Sequence, residues 1–275
     1  MIKKIIQVAD IHIPNDEKLR PYTEMLKKAM ALILKEVKKV DKDECRIVLV
    51  GDIFHKKIRT TNEAKSIFHT MLNYLNQMCR TYVIAGNHDM LENNNDRLDS
   101  ISPTFDIKSA YPNITYLDKE LNYKSGYCID DNVIFALYSM FDNFAAPNII
   151  GVKDAIENGK VIGLYHGDMP GTVTDLGYMS DKGVDASLFE GCDCVMAGHI
   201  HKHQEIKKNG IPAVYAGSLF QQDFGENTTG HGFVVWDMET MKYKFHEVPN
   251  DYKMYKFEIN SYDDVKNDSE KLLNY

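Results

Sequence analysis

No apolar run in this 275-residue chain approaches the roughly 20 residues that span a bilayer. No membrane-spanning helix is therefore expected. There is no C-x-x-C pair. The five cysteines, Cys45, Cys79, Cys128, Cys192 and Cys194, are odd in number and scattered. They point to reduced thiols in a cytoplasmic protein (host cytoplasm if a virus encodes it), not to a disulfide framework. Cys192-x-Cys194 lacks the spacing of the usual thiolate zinc site. Basic residues are not in excess: the net charge is −8 and the pI about 5.7. That excludes a generic nucleic-acid coating protein. It does not exclude an acidic site that holds cations, whose charge the sum ignores. The opening MIKKIIQVADIH meets an acidic residue at once and offers no small-residue cleavage site, unlike a secretory signal. Internal repeats and low-complexity linkers are also missing. The 44% hydrophobic and 26% charged content that remains is that of a globular protein, long enough for one large domain or two small ones.

What the chain does have is five short apolar strands that each run into a cluster of Asp, Asn or His. IIQVAD leads to Asp10 and His12, and RIVLVGD to Asp52 with His55 beyond. TYVIAGNHD delivers Asn87 and His88, VIGLYHGD delivers His166, and DCVMAGHIH delivers His199 and His201. These junctions hold His12, His55, His88, His166, His199 and His201 out of ten histidines in the chain. One edge of a sheet is expected to collect ligands for hard or borderline metal ions.

The wider pattern alternates strand and helix, then turns mostly to strand. A strand at about 2–9 precedes PYTEMLKKAMALILKEVKKV, a helix opened by Pro21 with an apolar stripe at Leu26, Met30, Ile33, Leu34 and Val37. A strand follows at 46–50, a helix at 61–78 and a strand at 81–85. Residues 90–112 read as polar and irregular, and 114–138 as short strands. A helix is expected near 152–158 and strands at 160–165 and 193–197. Hairpin-like strands are expected at 203–207, 213–216, 231–237, 242–247 and 253–259. The first strands are apolar on both faces, as when helices cover one side and a second sheet the other.

Asp10-x-His12 and His199-x-His201 each place two side chains on one side of an extended segment. Asp52 has two oxygens and can bridge two ions, while Asn87 is a neutral oxygen ligand that limits total charge. With His166 these make seven ligands, enough for two ions about 3.5–4 Å apart. Gly51, Gly86 and Gly198 permit sharp turns and close backbone approach. Taken singly each piece is weak: G-D at a strand end is an ordinary turn, and a lone His166 is an ordinary core residue. G-N-H-D and G-H-I-H are stronger, because a turn needs no histidine.

The ordered set Asp10-Ile-His12, Gly51-Asp52, Gly86-Asn87-His88-Asp89, His166 and Gly198-His199-Ile200-His201 resembles the calcineurin-like metallophosphoesterases over nearly the whole chain. The resemblance implies an α/β (α+β) fold, a four-layer αββα sandwich of two mixed sheets flanked by helices, with a dimetal site at the strand C-terminal ends. GDIFHKK replaces the V-D-R-G continuation of the phosphoprotein phosphatases. Together with DASLFEGCDCVMAGHIHKHQ, YAGSLFQQDFGE and HGFVVWDME, it is similar to SbcD-like double-strand-break-repair nucleases. That branch implies a DNA exonuclease or endonuclease working in repair, recombination or end processing. A small-molecule or cyclic-nucleotide phosphodiesterase or phosphatase on the same scaffold is the alternative, and a non-enzymatic binding module a third.

By the same resemblance, Asp10, His12, Asp52 and His201 hold one ion and Asp52, Asn87, His166 and His199 the other, manganese being the usual activator and magnesium an alternative. A hydroxide held by the pair attacks phosphorus in line. His88 stabilises or protonates the departing sugar oxygen. His55 positions the phosphodiester, and Asp89 either orients His88 or caps a turn. Lys56, Lys57 and Arg59 are candidate DNA-phosphate contacts, or a solvated loop. His203 reads as a strand residue, and His69, His231 and His246 have no partner pattern. Members of this branch work with an SMC-like ATPase subunit (SbcC-like) and dimerise through helices. Met71, Leu72, Leu75 and Met78 read as a core face or, alternatively, as a homodimer interface. The expected division is a metallophosphoesterase (nuclease) domain over 1–260 and a polar tail over 261–275, where a capping domain would begin.

Overall fold

The computed structural model describes residues 1–15, 19–57, 59–91, 94, 97–105 and 110–256. The expected polar tail from 261, and the boundary at 260 with it, lie outside the described residues. In chain order the elements are β1 (Lys4–Ala9), α1 (Leu19–Val37), β2 (Cys45–Val50), α2 (Asn62–Met78), β3 (Arg80–Ile84), β4 (Ile114–Tyr116) and α3 (Leu117–Glu120). Then come β5 (Gly126–Asp130), β6 (Val133–Tyr138), β7 (Lys160–His166), β8 (Cys194–Gly198), β9 (Gln204–Lys208), β10 (Ile211–Tyr215), β11 (Gly232–Asp237) and β12 (Lys242–Glu247).

They form two six-stranded mixed sheets, in the orders β12-β11-β1-β2-β3-β4 and β5-β6-β7-β8-β10-β9. Strands β1 to β4 run parallel, as do β6, β7, β8 and β10, while β11, β12, β5 and β9 join by antiparallel pairing. Composition follows position. CRIVLV and VIFALY, covered on both faces, are buried throughout. The edge strand QEIKK alternates and keeps Glu205 and Lys207 outward, charges that blunt the open edge.

Side chains from both sheets, among them Ile5, Val48, Phe135, Leu164, Met196 and Trp236, fill the space between them. Gln7 crosses this apolar layer: its Nε2 donates to Ala197 O (3.0 Å) and Val214 O (2.8 Å), and its Oε1 accepts from Trp236 Nε1 (2.9 Å). Such a satisfied buried amide fixes how the sheets dock. The outer face of the first sheet packs under α1 and α2. Thr61 caps α2 by accepting from Ala64 N at 3.2 Å. Met71, Leu72 and Leu75 are fully buried and Met78 nearly so, all within this core. That stripe is therefore core, and the interface reading of it falls.

The outer face of the second sheet is covered by loops and short 3-10 turns, with Phe189 set edge-on to Tyr138 and Tyr165. The helix expected near 152–158 is a single 3-10 turn, Lys153–Ala155. Asn158 at φ 55° and Gly151 at φ 73° interrupt the right-handed helix on either side. Residues 253–256 form no strand, and 257–259 lie outside the described residues.

Candidate metal centre

The parallel strands of both sheets end on the same edge, and there the chain turns sharply. Asp10 and His12 after β1, Asp52 after β2 and His199 after β8 all adopt positive φ (49°, 49°, 52° and 95°). L-residues enter this region at a cost and cluster there at functional sites. The turns are held by Asp10 N to Gly51 O (3.2 Å), His12 N to Asp52 O (2.9 Å), and His199 N donating to both Asp10 carboxylate oxygens (3.0 Å each). Two glycines make the convergence possible. A Cβ on Gly51 would lie 2.2 Å from His166 Nδ1, and one on Gly86 would lie 2.2 Å from Asp52 Oδ1.

The structure brings all seven sequence-derived candidates together in two groups. In the first, His12 Nε2 lies 3.0 Å from His201 Nε2 and 3.5 Å from Asp52 Oδ2, and His201 Nε2 is 3.9 Å from Asp10 Oδ1. In the second, His166 Nε2 lies 3.4 Å from Asp52 Oδ1 and 3.3 Å from Asn87 Oδ1, with His199 Nδ1 2.9 Å from that amide oxygen. Asp52 therefore presents one oxygen to each group. Asp10, Asp52, His12 and His166 are buried.

The outer hydrogen bonds fix which ring atoms point inward. His166 Nδ1 sits 2.8 Å from Val50 O, and His201 Nδ1 sits 2.5 Å from Glu226 Oε1. Both partners only accept, so each ring carries hydrogen on Nδ1 and turns Nε2 toward the carboxylates. Without a cation, protons must fill that acceptor-rich space. Burial opposes charge on His166, but Asp52 and then Asp10 outweigh it and push its pKa up to about 9. Burial likewise opposes charge on His201, and Glu226 and Asp10 raise it to about 9. Asp52 is desolvated too, yet His166 and then His12 hold it well below the usual carboxylate range. Burial, followed by His166, lowers His199 to about 4, while burial lifts Asp10 to about 6. Replacing those protons by divalent ions suits this donor set: carboxylate, imidazole and one amide oxygen, with few groups per ion.

His88 lies within 4.8 Å of ligand atoms of His12 and Asp52, so these three form a further group able to hold an ion, and His55 stands beside it. The His12 ring centroid is 4.8 Å from that of His88 and 5.6 Å from that of His55. His88 Nδ1 is fixed by His55 O at 2.7 Å, and His88 N donates to Asp52 Oδ1 at 2.7 Å. Asp89 does not orient His88. Fully buried, it accepts from the backbone N–H of Ile53 (3.0 Å), Phe54 (3.0 Å) and Gly86 (2.9 Å), tying the Gly51-Asp52 turn to the Gly86-Asn87 turn. Lys56 and Arg59 are exposed, and half-buried Lys57 lines a surface cavity with Lys65 and Arg97. His203 stacks on Phe245 at 4.3 Å and bonds to Tyr215 O, outside either group. Cys192 lies against the Tyr138 hydroxyl and Cys194 in the intersheet core, so they form no metal site.

Sequence reasoning missed two positioning residues. Glu226 holds His201, and Asp118 accepts from Ala85 N (2.9 Å) and Ser139 Oγ (2.5 Å), steadying the chain before Gly86. The D-F-G-E segment was a visible signal for Glu226, though not for its partner.

A two-sheet sandwich whose strand ends gather carboxylates and imidazoles around room for two cations defines a metal-dependent phosphoester-hydrolase scaffold. The chain belongs to the calcineurin-like phosphoesterase superfamily, whose domain model matches residues 4–241. It is 34% identical over 257 residues to an uncharacterized protein of Acanthamoeba polyphaga mimivirus, covering 91% of this chain and 18% of that protein. The chain thus spans about a fifth of that relative's length. Among solved structures it resembles a dimetal phosphatase from Danio rerio, with 13% identity, TM-score 0.51, and 86% and 92% of the two chains covered. At that identity the likeness concerns the fold alone. An archaeal phosphodiesterase matches at 14% identity and TM-score 0.42, over 89% of this chain and 98% of that one, too distant to build on. Among the described residues no helix is long and apolar enough to cross a membrane.

Proposed function

We propose that the chain is a divalent-metal-dependent phosphodiesterase acting on DNA, an SbcD-like nuclease core. Asp10, His12, Asp52 and His201 take one ion and Asp52, Asn87, His166 and His199 the other, with manganese the first choice and magnesium the second. When bound, the ions supply Lewis-acid charge and an activated water near neutral pH. The observation that carries the reading is the second pair of imidazoles. His88 and His55 sit at the edge of the ligand groups, and the 2.7 Å contact of His88 Nδ1 with His55 O fixes the His88 ring. An imidazole so placed protonates a poor leaving group, which a sugar alkoxide is. His55 steadies the diester beside it.

Lys56, Lys57 and Arg59 contribute phosphate contacts. Neutralising all three is expected to lower the slope of log affinity against log salt by about 2–3. An SMC-type, SbcC-like ATPase is the partner this reading implies, in the cytoplasm. A homodimer would have to use a face other than the buried stripe of α2.

The direct test is cleavage of end-labelled single- and double-stranded DNA in manganese, with His88→Ala alongside. The reading predicts wild-type cleavage and a loss of about 10²–10⁴-fold in the variant with metal content unchanged. Equal rates would remove His88 from the mechanism. A small-molecule or cyclic-nucleotide phosphodiesterase or phosphatase is the second reading. The cleft beside His199 and His201, where Asp168, Asp175, Asp223 and Glu226 outnumber Lys202, favours it, because the excess of carboxylates repels a long polyanion on that side. Turnover of nucleotides without any cleavage of DNA would select it.

A further inference from the structure

Beside the metal centre, next to the acidic cleft along the 220–226 segment, lies a cavity of about 170 Å³ that opens onto His12 and His55. Among the described residues its wall carries no Asp, Glu, Lys or Arg. It consists of Pro21, Tyr22, Met25, Phe220, Tyr252 and Met254, with the side chains of Gln221 and Gln222. The two glutamines are already engaged. Gln221 Nε2 donates to Met254 O (2.9 Å) and its Oε1 accepts from Met254 N (2.9 Å), and Gln222 Nε2 donates to Phe220 O (3.0 Å). The Tyr22 hydroxyl is spent on Ile11 O at 2.9 Å, and its ring stands edge-on to Phe220 with centroids 5.4 Å apart. What faces the cavity is apolar and aromatic surface.

The outer wall is fastened in place. Residues 251–254 lie across α1, where Asp251 pairs with Lys28 and the Tyr252 hydroxyl bonds to Glu24. The Gln221 amide meets Met254 through both its donor and its acceptor, as a neighbouring strand would. This leaves Tyr252, 44% exposed, as a rigidly tethered ring at the mouth.

We infer that this cavity receives the nucleobase of the nucleotide whose phosphate is held beside His12 and His55. The inference rests on the phosphodiesterase reading above for where the phosphate sits. Three observations select a base. The cavity is continuous with His12, so it takes whatever the phosphate carries next. Among the described residues the wall offers no cation, so nothing they supply would repay the desolvation of a second phosphate. The exposed ring of Tyr252, facing a wall floored by the buried Tyr22 and Phe220, suits a flat heterocycle, and stacking of this kind tolerates any base.

The test compares binding of deoxyadenosine monophosphate and of deoxyribose 5-phosphate by calorimetry. Both carry the same sugar and phosphate, and only the first has a base. The manganese-loaded wild type is expected to bind the nucleotide about tenfold more tightly or better. Tyr252→Ala is expected to erase most of that preference and leave the affinity for deoxyribose 5-phosphate unchanged. Tyr252→Phe, which keeps the ring and gives up the Glu24 bond, is expected to retain it. Met254→Ala gives an independent loss of preference at the same wall. Deoxyadenosine alone, offered to the metal-free chain, reads the cavity without any phosphate or turnover. Its binding, lost in Tyr252→Ala, upholds the pocket even if the chain cleaves no DNA. Equal affinity for the two phosphates, or a change of both together in the variants, overturns the pocket while leaving DNA cleavage free to stand.

Discussion

The two ends of the parallel strands bury carboxylates in opposite ways. At the N-terminal end, Asp130 is met by cations of the chain itself. Arg46 Nη2 donates to it at 3.0 Å and Arg80 Nη1 at 2.7 Å, the Arg46 Nε contact completes a fork, and the Tyr82 hydroxyl adds a bond at 2.8 Å. Burial opposes its charge, yet Arg46 and then Tyr82 hold its pKa below the usual value. At the C-terminal end, Asp10 and Asp52 are buried just as deeply but face only imidazoles, an amide and backbone N–H groups. A buried charge is tolerated when it is paired or coordinates a metal. One end is closed by guanidinium groups of the chain; the other leaves its carboxylates to imidazoles, a donor set that suits divalent ions.

The donors at the open end also divide between the sheets. Asp10, His12, Asp52 and Asn87 follow strands of the helix-backed sheet, and His166, His199 and His201 follow strands of the loop-backed sheet. Each proposed ion thus draws ligands from both sheets, so metal binding also staples their docking.

Several changes would break or sharpen this contrast. The largest effect is expected at the closed end. Asp130→Ala leaves the Arg46 guanidinium buried without its partner and should cost about 3–5 kcal/mol, unaltered by manganese. Denaturant unfolding with and without the ion checks this, and a cost that manganese cancels would erase the distinction between the two ends. Next is metal binding itself. At a hundredfold excess over Kd, an ion stabilises by about 2.7 kcal/mol, which raises Tm by roughly 5–11 °C for a chain of this size and is reversed by chelation. An unchanged melting curve would count against the staple. Glu226→Gln should come third, with a 10–100-fold loss of metal affinity and no loss of fold, read by titration calorimetry.

The smallest effect concerns pH. In the metal-free chain His166 and His201, at about 9, bind protons more tightly than the ordinary value of 6.5. Their contribution to stability is therefore complete below about pH 6.5 and fades as pH rises through about 9. In the metal-loaded chain the trend reverses over the same window, because protons compete with the ions for the same nitrogens. Melting curves from pH 6 to 9.5, with and without manganese, would show parallel trends if the acceptor groups did not bind metal.

Most of the site was legible because its residues lie within three positions of a strand end, so hydrophobic run and polar cluster are adjacent in sequence. All seven ligand candidates meet in space for that reason, and His55 and His88, five and four positions past β2 and β3, follow the same turns. The contributions of Glu226 and Asp118 were not legible. Glu226 reaches His201 from a loop 25 residues further on, and neither segment carries a periodic pattern that predicts the contact. The two readings of Asp89 were separated only by its three backbone donors. The cover of the second sheet was harder still. Residues near 152–158 have helical composition, but left-handed positions at Gly151 and Asn158 confine them to one turn. The cavity beside His12 combines α1, the turn before β11 and residues 252–254, which no local signal connects.

The most direct test is native mass spectrometry of the manganese-loaded chain beside Asp52→Ala. The account predicts two ions per wild-type chain and at most one in the variant, since Asp52 offers an oxygen to each group. A single ion in the wild type, or two retained without Asp52, would contradict it.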